Sequence, residues 1–369
     1  MNNNIVKPNF LILDCLRGIA AFYVVINHCR GNLLIGGSEL AKITPIDQWS
    51  IWTKIYYALL RLTSLGTEFV VVFFVLSGYS IAYSLYKKPI LKKFYLKRLI
   101  RLYPPYVAAL AWAALVFWII AKYLPSFNLD LKSVFDNWKS VAYNMFYVSE
   151  GAYISQFWSL VHEVIFYILA PFVLLRRRFY YILSLLFYTT GWLIGWNELT
   201  GGSILTKFLF DYNIYFTIGI WLFHNYKPVR KVLSCSKIKT YLVFAFLFVI
   251  MVVLKYFVGE YNKITPLLAA ILSVFLIINF QVNNIHTKAL LFLGAMSYTL
   301  YITHFASIKI FNLLLFKLNF AQLNENIINP FIWLVGTLFC VVISYVFYII
   351  AEKPTKLVLT RLRKPSKDL

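Results

Sequence analysis

A chain of 369 residues in which 61% are hydrophobic and only 14% charged, with a mean hydropathy of +0.71, lacks the polar surface to cover a soluble globule. A soluble enzyme and a disordered chain are both excluded. The excess of 36 Lys and Arg over 14 Asp and Glu, a net charge of +22, would suit nucleic acid only as a basic face on a soluble module.

A membrane-crossing helix needs about 20 apolar residues, and the chain is predicted to be an all-α polytopic membrane protein with about ten of them. In chain order they cover about 9–29, 67–86, 104–123, 153–175, 179–195, 205–224, 240–258, 265–281, 289–314 and 329–351. The first is too long for a signal-peptide core, carries Asp14 and Arg17, and meets no small-residue cleavage site, so it is predicted to be retained. Residues 1–352 read as one membrane domain and 353–369 as a basic cytoplasmic tail. The four cysteines show no metal or redox spacing and read as packing residues.

Lys and Arg concentrate in loops that stay in the cytoplasm. With the N-terminus inside, 23 of the 36 fall on inner segments and 12 on outer ones, with Arg17 inside the first span. Both termini are therefore expected in the cytoplasm. The charge becomes a topology signal and an attraction to anionic headgroups, and no nucleic acid is expected. Two long outer loops, about 30–66 and 124–152, mix Trp and Tyr with charge, as helices lying at the interface do; such a surface could also stack on sugar rings.

Ionisable groups inside a bilayer are costly and default to functional candidates. In the first span Asp14 and Arg17 are one turn apart and can pair. His28, eleven residues beyond Arg17, shares its face about 16.5 Å along the axis, near the outer end. The second span holds Ser77, Gly78 and Ser80, small residues that permit either close helix packing or passage of a ligand chain. On the inner helix that follows, Arg98 and Arg101 are spaced to clamp phosphate, and Pro104 and Pro105 open the next span. In the fourth span Ser159, Glu163 and Tyr167 recur every four residues, so Glu163 can either orient an imidazole or lock helices together. The neighbouring His162 points away and reads as packing. The ninth span aligns Ser297, Tyr301 and His304 on one face, with His304 at the depth of His28.

These residues carry a resemblance. LDCLRGIAAFYVVINH, FFVLSGYSI, Arg98 and Arg101 before Tyr103 and Pro104, FWSLVHEVIFY, LGAMSYTLYITH and the closing Glu352-Lys353-Pro354 together resemble the bacterial membrane acyltransferase family 3, in order from Leu13 to Pro354. Arg17 and His28 fit its signature of a basic residue, ten others, then histidine. Cys15 stands where that family commonly has Gly.

The resemblance implies transfer of an acetyl or other short acyl group from acetyl-CoA, a substrate rather than a bound cofactor, to a hydroxyl of a cell-envelope glycan or its lipid-linked precursor. It places the chain in the bacterial inner membrane. Residues 353–369 are too few for the soluble hydrolase-like domain that some members append. On this reading Arg17, Arg98, Arg101, Ser77 and Gly78 hold the acyl-CoA, and His28 is base or nucleophile, oriented by Glu163 or His304. Asp14, Ser159 and Tyr301 position these groups. No metal is expected, and a homo-oligomer is allowed. A lipid-linked oligosaccharide flippase or secondary transporter and a membrane glycosyltransferase are the rival readings; the first would need no acyl donor, and the second would want more deeply placed carboxylates.

Overall fold

The computed structural model describes residues 6–87, 90–123, 155–195, 202–259, 262–281, 286–317 and 328–361, among which helix is the only regular structure. The first predicted span is α1 (Phe10–Leu33), started by Asn9, whose side chain accepts from the amides of Leu11 and Ile12. The outer segment after it folds as α2 (Gly37–Ile43) and α3 (Ile51–Leu60). On α3, Ile51, Trp52, Ile55 and Leu59 are exposed on one side. Tyr56 and Tyr57, on its other side, donate to the carbonyls of Ile328 and Ile35. That division suits a helix lying in the headgroup layer. The second expected interfacial segment, 124–152, lies outside the described residues.

Then follow α4 (Gly66–Tyr86), α5 (Leu91–Tyr123), α6 (Trp158–Leu175), α7 (Arg177–Leu193), α8 (Ile204–Lys207) and α9 (Asn213–His224). The amphipathic α10 (Tyr226–Leu233) leads to α11 (Lys237–Val258) and α12 (Ile264–Asn279). The chain ends with α13 (His286–Ala295), α14 (Ser297–Lys317), α15 (Pro330–Phe347) and α16 (Lys353–Arg361), the last built from the start of the expected tail.

Every segment predicted to span is helical where described, but by length and composition five stretches among the described residues, or six with a bent pair, can cross a bilayer; Trp158–Val173 and Ile264–Asn279 are shorter apolar helices. Three details depart from the sequence expectation. Pro104 and Pro105 do not open a helix: α5 runs through both, joining the basic segment to the apolar one. A proline removes only its own amide from the ladder, and beside this point the Tyr298 hydroxyl donates to the Leu102 carbonyl. The 205–224 segment contains a π-helical turn, Phe208–Tyr212, where Asp211 meets Lys263 at 2.7 Å. The 289–314 segment is broken: α13 and α14 meet at 71° at Met296.

Lipid contact is visible in the apolar surface. On α11, Ile238, Leu242, Phe246, Val249, Val253 and Phe257 are exposed at intervals of three or four residues, one stripe along the whole helix. On α15, Phe331, Leu334, Leu338, Val342 and Tyr345 form another. Stripes of this size would drive aggregation in water and match the hydrocarbon of a bilayer. The core lies between α1, α4, α9 and α12, with α13 and α14 on the other side of α1. At the α1–α13 crossing a Cβ on Gly18 would stand 2.5 Å from the Gly294 amide nitrogen, so the two helices meet backbone to backbone.

Candidate active site

The predicted residues gather in two places along α1. Toward its N-terminus, Arg17 donates to Asp14 Oδ1 at 3.2 Å across one turn and to Ser80 Oγ on α4 at 2.8 Å. These bonds aim the guanidinium at a cavity of about 60 Å³ between α1, α4, α5, α6 and α14. Arg101, Ser159, Glu163, Tyr167, Ser297 and Tyr301 line it. The i, i+4, i+8 spacing on α6 explains how one helix presents three of them.

Glu163 is held on one oxygen. Its Oε1 accepts from Ser77 Oγ at 3.0 Å and from the Tyr167 hydroxyl. No hydrogen bond joins it to either histidine among the described residues, so its geometry serves the arginine end of the site. Arg98 does not line the cavity; its guanidinium lies over the rings of Phe94 and Tyr167, 5.4 and 5.3 Å from their centroids. It thereby presses Tyr167 toward Glu163, a cation–π contact that would cost about 0.5–2 kcal/mol to lose. Gly78 faces away. A Cβ there would strike the Phe216 carbonyl, and one on Gly219 the Val75 carbonyl, so Gly78 is taken up by the α4–α9 crossing. His162 packs between Tyr212, 4.4 Å away centre to centre, and Trp158.

The second place lies three turns further along α1. The rings of His28 and His304 are 5.2 Å apart, inclined by 34°. His28 is half-buried and His304 wholly buried. His304 Nδ1 lies 3.2 Å from the Leu300 carbonyl oxygen. A carbonyl only accepts, so the proton of the neutral ring sits on Nδ1 and Nε2 is left as the basic nitrogen. That Nε2 is buried with no hydrogen-bond partner among the described residues. Asn32, one turn beyond His28, bridges the same two helices by accepting from Lys309 Nζ at 3.2 Å.

Tyr301 joins the two places. It lines the cavity while its ring centre is 5.9 Å from that of His304, and its hydroxyl sits between Ser159 Oγ at 2.7 Å and the Gln156 carbonyl at 2.9 Å. Sequence reasoning singled out Ser80 as a small mid-helix residue and missed its bond to Arg17, and it missed Gln156 altogether. Gln156 acts through its backbone, which no side-chain pattern reveals.

Sequence reasoning also missed Glu352 as the support of α14. Its Oε2 accepts from the Thr299 amide at 3.1 Å and hydroxyl at 2.8 Å, filling the free N-terminus of the broken helix. Lys356 Nζ pairs with Glu352 Oε1 at 2.7 Å and also donates to the Ala295 carbonyl, the last residue of α13. One ion pair thus ties both sides of the 71° break, and α14 carries Ser297, Tyr301 and His304 from that fixed start.

Among the described residues the protein is an all-helical membrane protein with two arginines and a carboxylate around one cavity and a histidine pair beyond it. The family model described as an acyltransferase domain matches residues 10–349, nearly the whole chain. The protein belongs to acyltransferase family 3 and is an acyltransferase. No curated protein and no solved structure matches it.

Proposed function

We propose that the protein is an O-acetyltransferase, or a transferase of another short acyl group, of the bacterial inner membrane, with both termini in the cytoplasm. It takes the group from acyl-CoA on the cytoplasmic side and transfers it to a hydroxyl of a cell-envelope glycan or its lipid-linked precursor. The observation that carries the reading is Tyr301, which touches both the cavity lined by Arg17 and Arg101 and the buried His304 beside His28. A donor whose phosphates are held by Arg101 and whose thioester passes Arg17 would be led along α1 toward the histidines. Either imidazole then takes the proton of the acceptor hydroxyl as its oxygen attacks the thioester carbon. The C–O bond forms, the C–S bond breaks, and the proton passes to the departing thiolate. If His28 is acylated first, a C–N bond forms as the C–S bond breaks and the thiolate leaves with the imidazole proton; the acceptor oxygen then attacks, the C–O bond forms as the C–N bond breaks, and the hydroxyl proton returns to the freed His28 ring.

Mass spectrometry of envelope glycan from cells with and without the gene tests the reading. The expected result is one glycan that carries an acyl group only when the gene is present. Identical spectra, together with no acyl-CoA hydrolysis by the purified protein in membranes supplied with that glycan, would overturn it.

A further inference from the structure

A second and larger cavity, of about 480 Å³, opens at the N-terminal end of α1, between that end, α4, α10 and the C-terminal end of α12. It shares no lining residue with the arginine cavity. Its wall amides are already used. Asn9 accepts from the Leu11 and Ile12 amides, and Asn279 accepts from the Cys235 amide and donates to the Leu233 and Phe275 carbonyls.

Its remaining polar groups are unspent. Tyr79 is 2% exposed, lines the cavity, and its hydroxyl has no hydrogen-bond partner among the described residues. Tyr226 stands beside it, 6.3 Å away ring to ring, with a hydroxyl equally unpaired. Both residues line the cavity, so a polar ligand or water there can bond the two hydroxyls. Lys7 and Arg230 are exposed at the lining, no carboxylate lines it, and neither cation has an acidic partner among the described residues. A guanidinium fork and an ammonium above neutral hydroxyl donors match a phosphate ester: charge at the mouth, hydroxyl-bearing body beneath.

The position favours a lipid source. Arg230 belongs to α10, which also exposes Val232 and Leu233 beside Lys231, the division of a helix lying at headgroup depth.

We propose that this cavity is a binding site for a phosphate ester bearing a small hydroxylated body, supplied by an anionic phospholipid headgroup or a soluble phosphate monoester, and separate from the acyl-transfer site. Phosphate oxygens are held by Arg230 and Lys7, and the body is hydrogen-bonded by Tyr79 and Tyr226.

Native mass spectrometry of the full-length protein in detergent, with no acyl donor present, tests it. The probes are phosphatidylglycerol, phosphatidylcholine and free glycerol 3-phosphate. Phosphatidylglycerol should be retained in preference to phosphatidylcholine, and Lys7→Ala with Arg230→Ala should weaken that retention at least about tenfold. Tyr79→Phe, which removes only the hydroxyl, should weaken it several-fold while the unfolding temperature stays within a few degrees of wild type. Displacement of the lipid by glycerol 3-phosphate would assign a soluble ester, and retention against it a lipid; both support the site. Equal retention by wild type, the double variant and Tyr79→Phe, with no glycerol 3-phosphate bound, would overturn it. The readout is binding alone, so it stands or falls apart from the proposed acyl transfer.

Discussion

His28 and His304 face one another across α1 and α14 with ring centres 5.2 Å apart, and the Nε2 of His304 has no hydrogen-bond partner among the described residues. Two imidazoles so placed can share one proton, one ring taking it from a substrate while the other stabilises the charge formed. His28→Ala and His28→Gln should therefore lower acyl transfer by about 10²–10⁴-fold in a protein that still inserts and binds acyl-CoA. His304→Ala should fall in the same range. Rates from purified variants, with acyl-CoA binding measured separately, check this; a folded His28→Ala protein at near wild-type rate would move the proton transfer elsewhere.

The arginine end should behave differently. If the proposed donor site is right, Arg101→Ala and Arg17→Ala each remove a charge-assisted contact worth about 1.5–3 kcal/mol, so the acyl-CoA KM should rise roughly 10- to 100-fold. Lys should rescue only in part, since it lacks the planar fork. Tyr167→Phe, which takes one donor from Glu163 while Ser77 remains, should have a smaller effect on KM. Unchanged KM in both arginine variants would leave these residues with topology alone.

The all-α membrane character was legible in the sequence because a bilayer imposes a composition that a window along the chain detects, while five or six of the described helical stretches, not ten, are long and apolar enough to span. The shared face of Ser159, Glu163 and Tyr167 was legible too, a consequence of helical spacing. Their partners were not. Ser77 lies 86 residues from Glu163, and nothing local in either motif says that the hydroxyl meets the carboxylate. The break at Met296 was hidden for the same reason: an unbroken apolar run predicts one helix, whereas the bend depends on Glu352, 53 residues beyond Thr299. For Gly78 both close packing and ligand passage were open from sequence, and only the facing backbone of Phe216 decides between them.

The bend itself is testable. Glu352→Ala would leave the Thr299 amide without its side-chain acceptor and Lys356 without its carboxylate, while the Thr299 hydroxyl keeps the Met296 carbonyl, a loss of about 1–3 kcal/mol of stability. Glu352→Gln keeps one carbonyl acceptor and should recover about half. Unfolding in detergent measures the stability, and transfer rates under conditions where each variant stays folded show whether a displaced α14 also misplaces His304.

A second hidden pair provides the sharpest stability test. Glu68 at the start of α4 is 1% exposed, yet both its oxygens are bonded: Oε2 to Lys255 Nζ at 2.9 Å and Oε1 to Thr265 Oγ1 at 2.7 Å. Lys255 is itself 8% exposed, so neither charge has water to fall back on. Lys255→Met should cost about 3–5 kcal/mol, because it strands a buried carboxylate that Thr265 alone cannot satisfy. Adding Glu68→Gln removes the stranded charge while keeping an acceptor for Thr265, and most of the loss should return. Thermal unfolding of the two single variants and the double variant in detergent completes the cycle. A double variant as unstable as the sum of the singles would mean that each residue acts through packing and that the ion pair contributes nothing of its own.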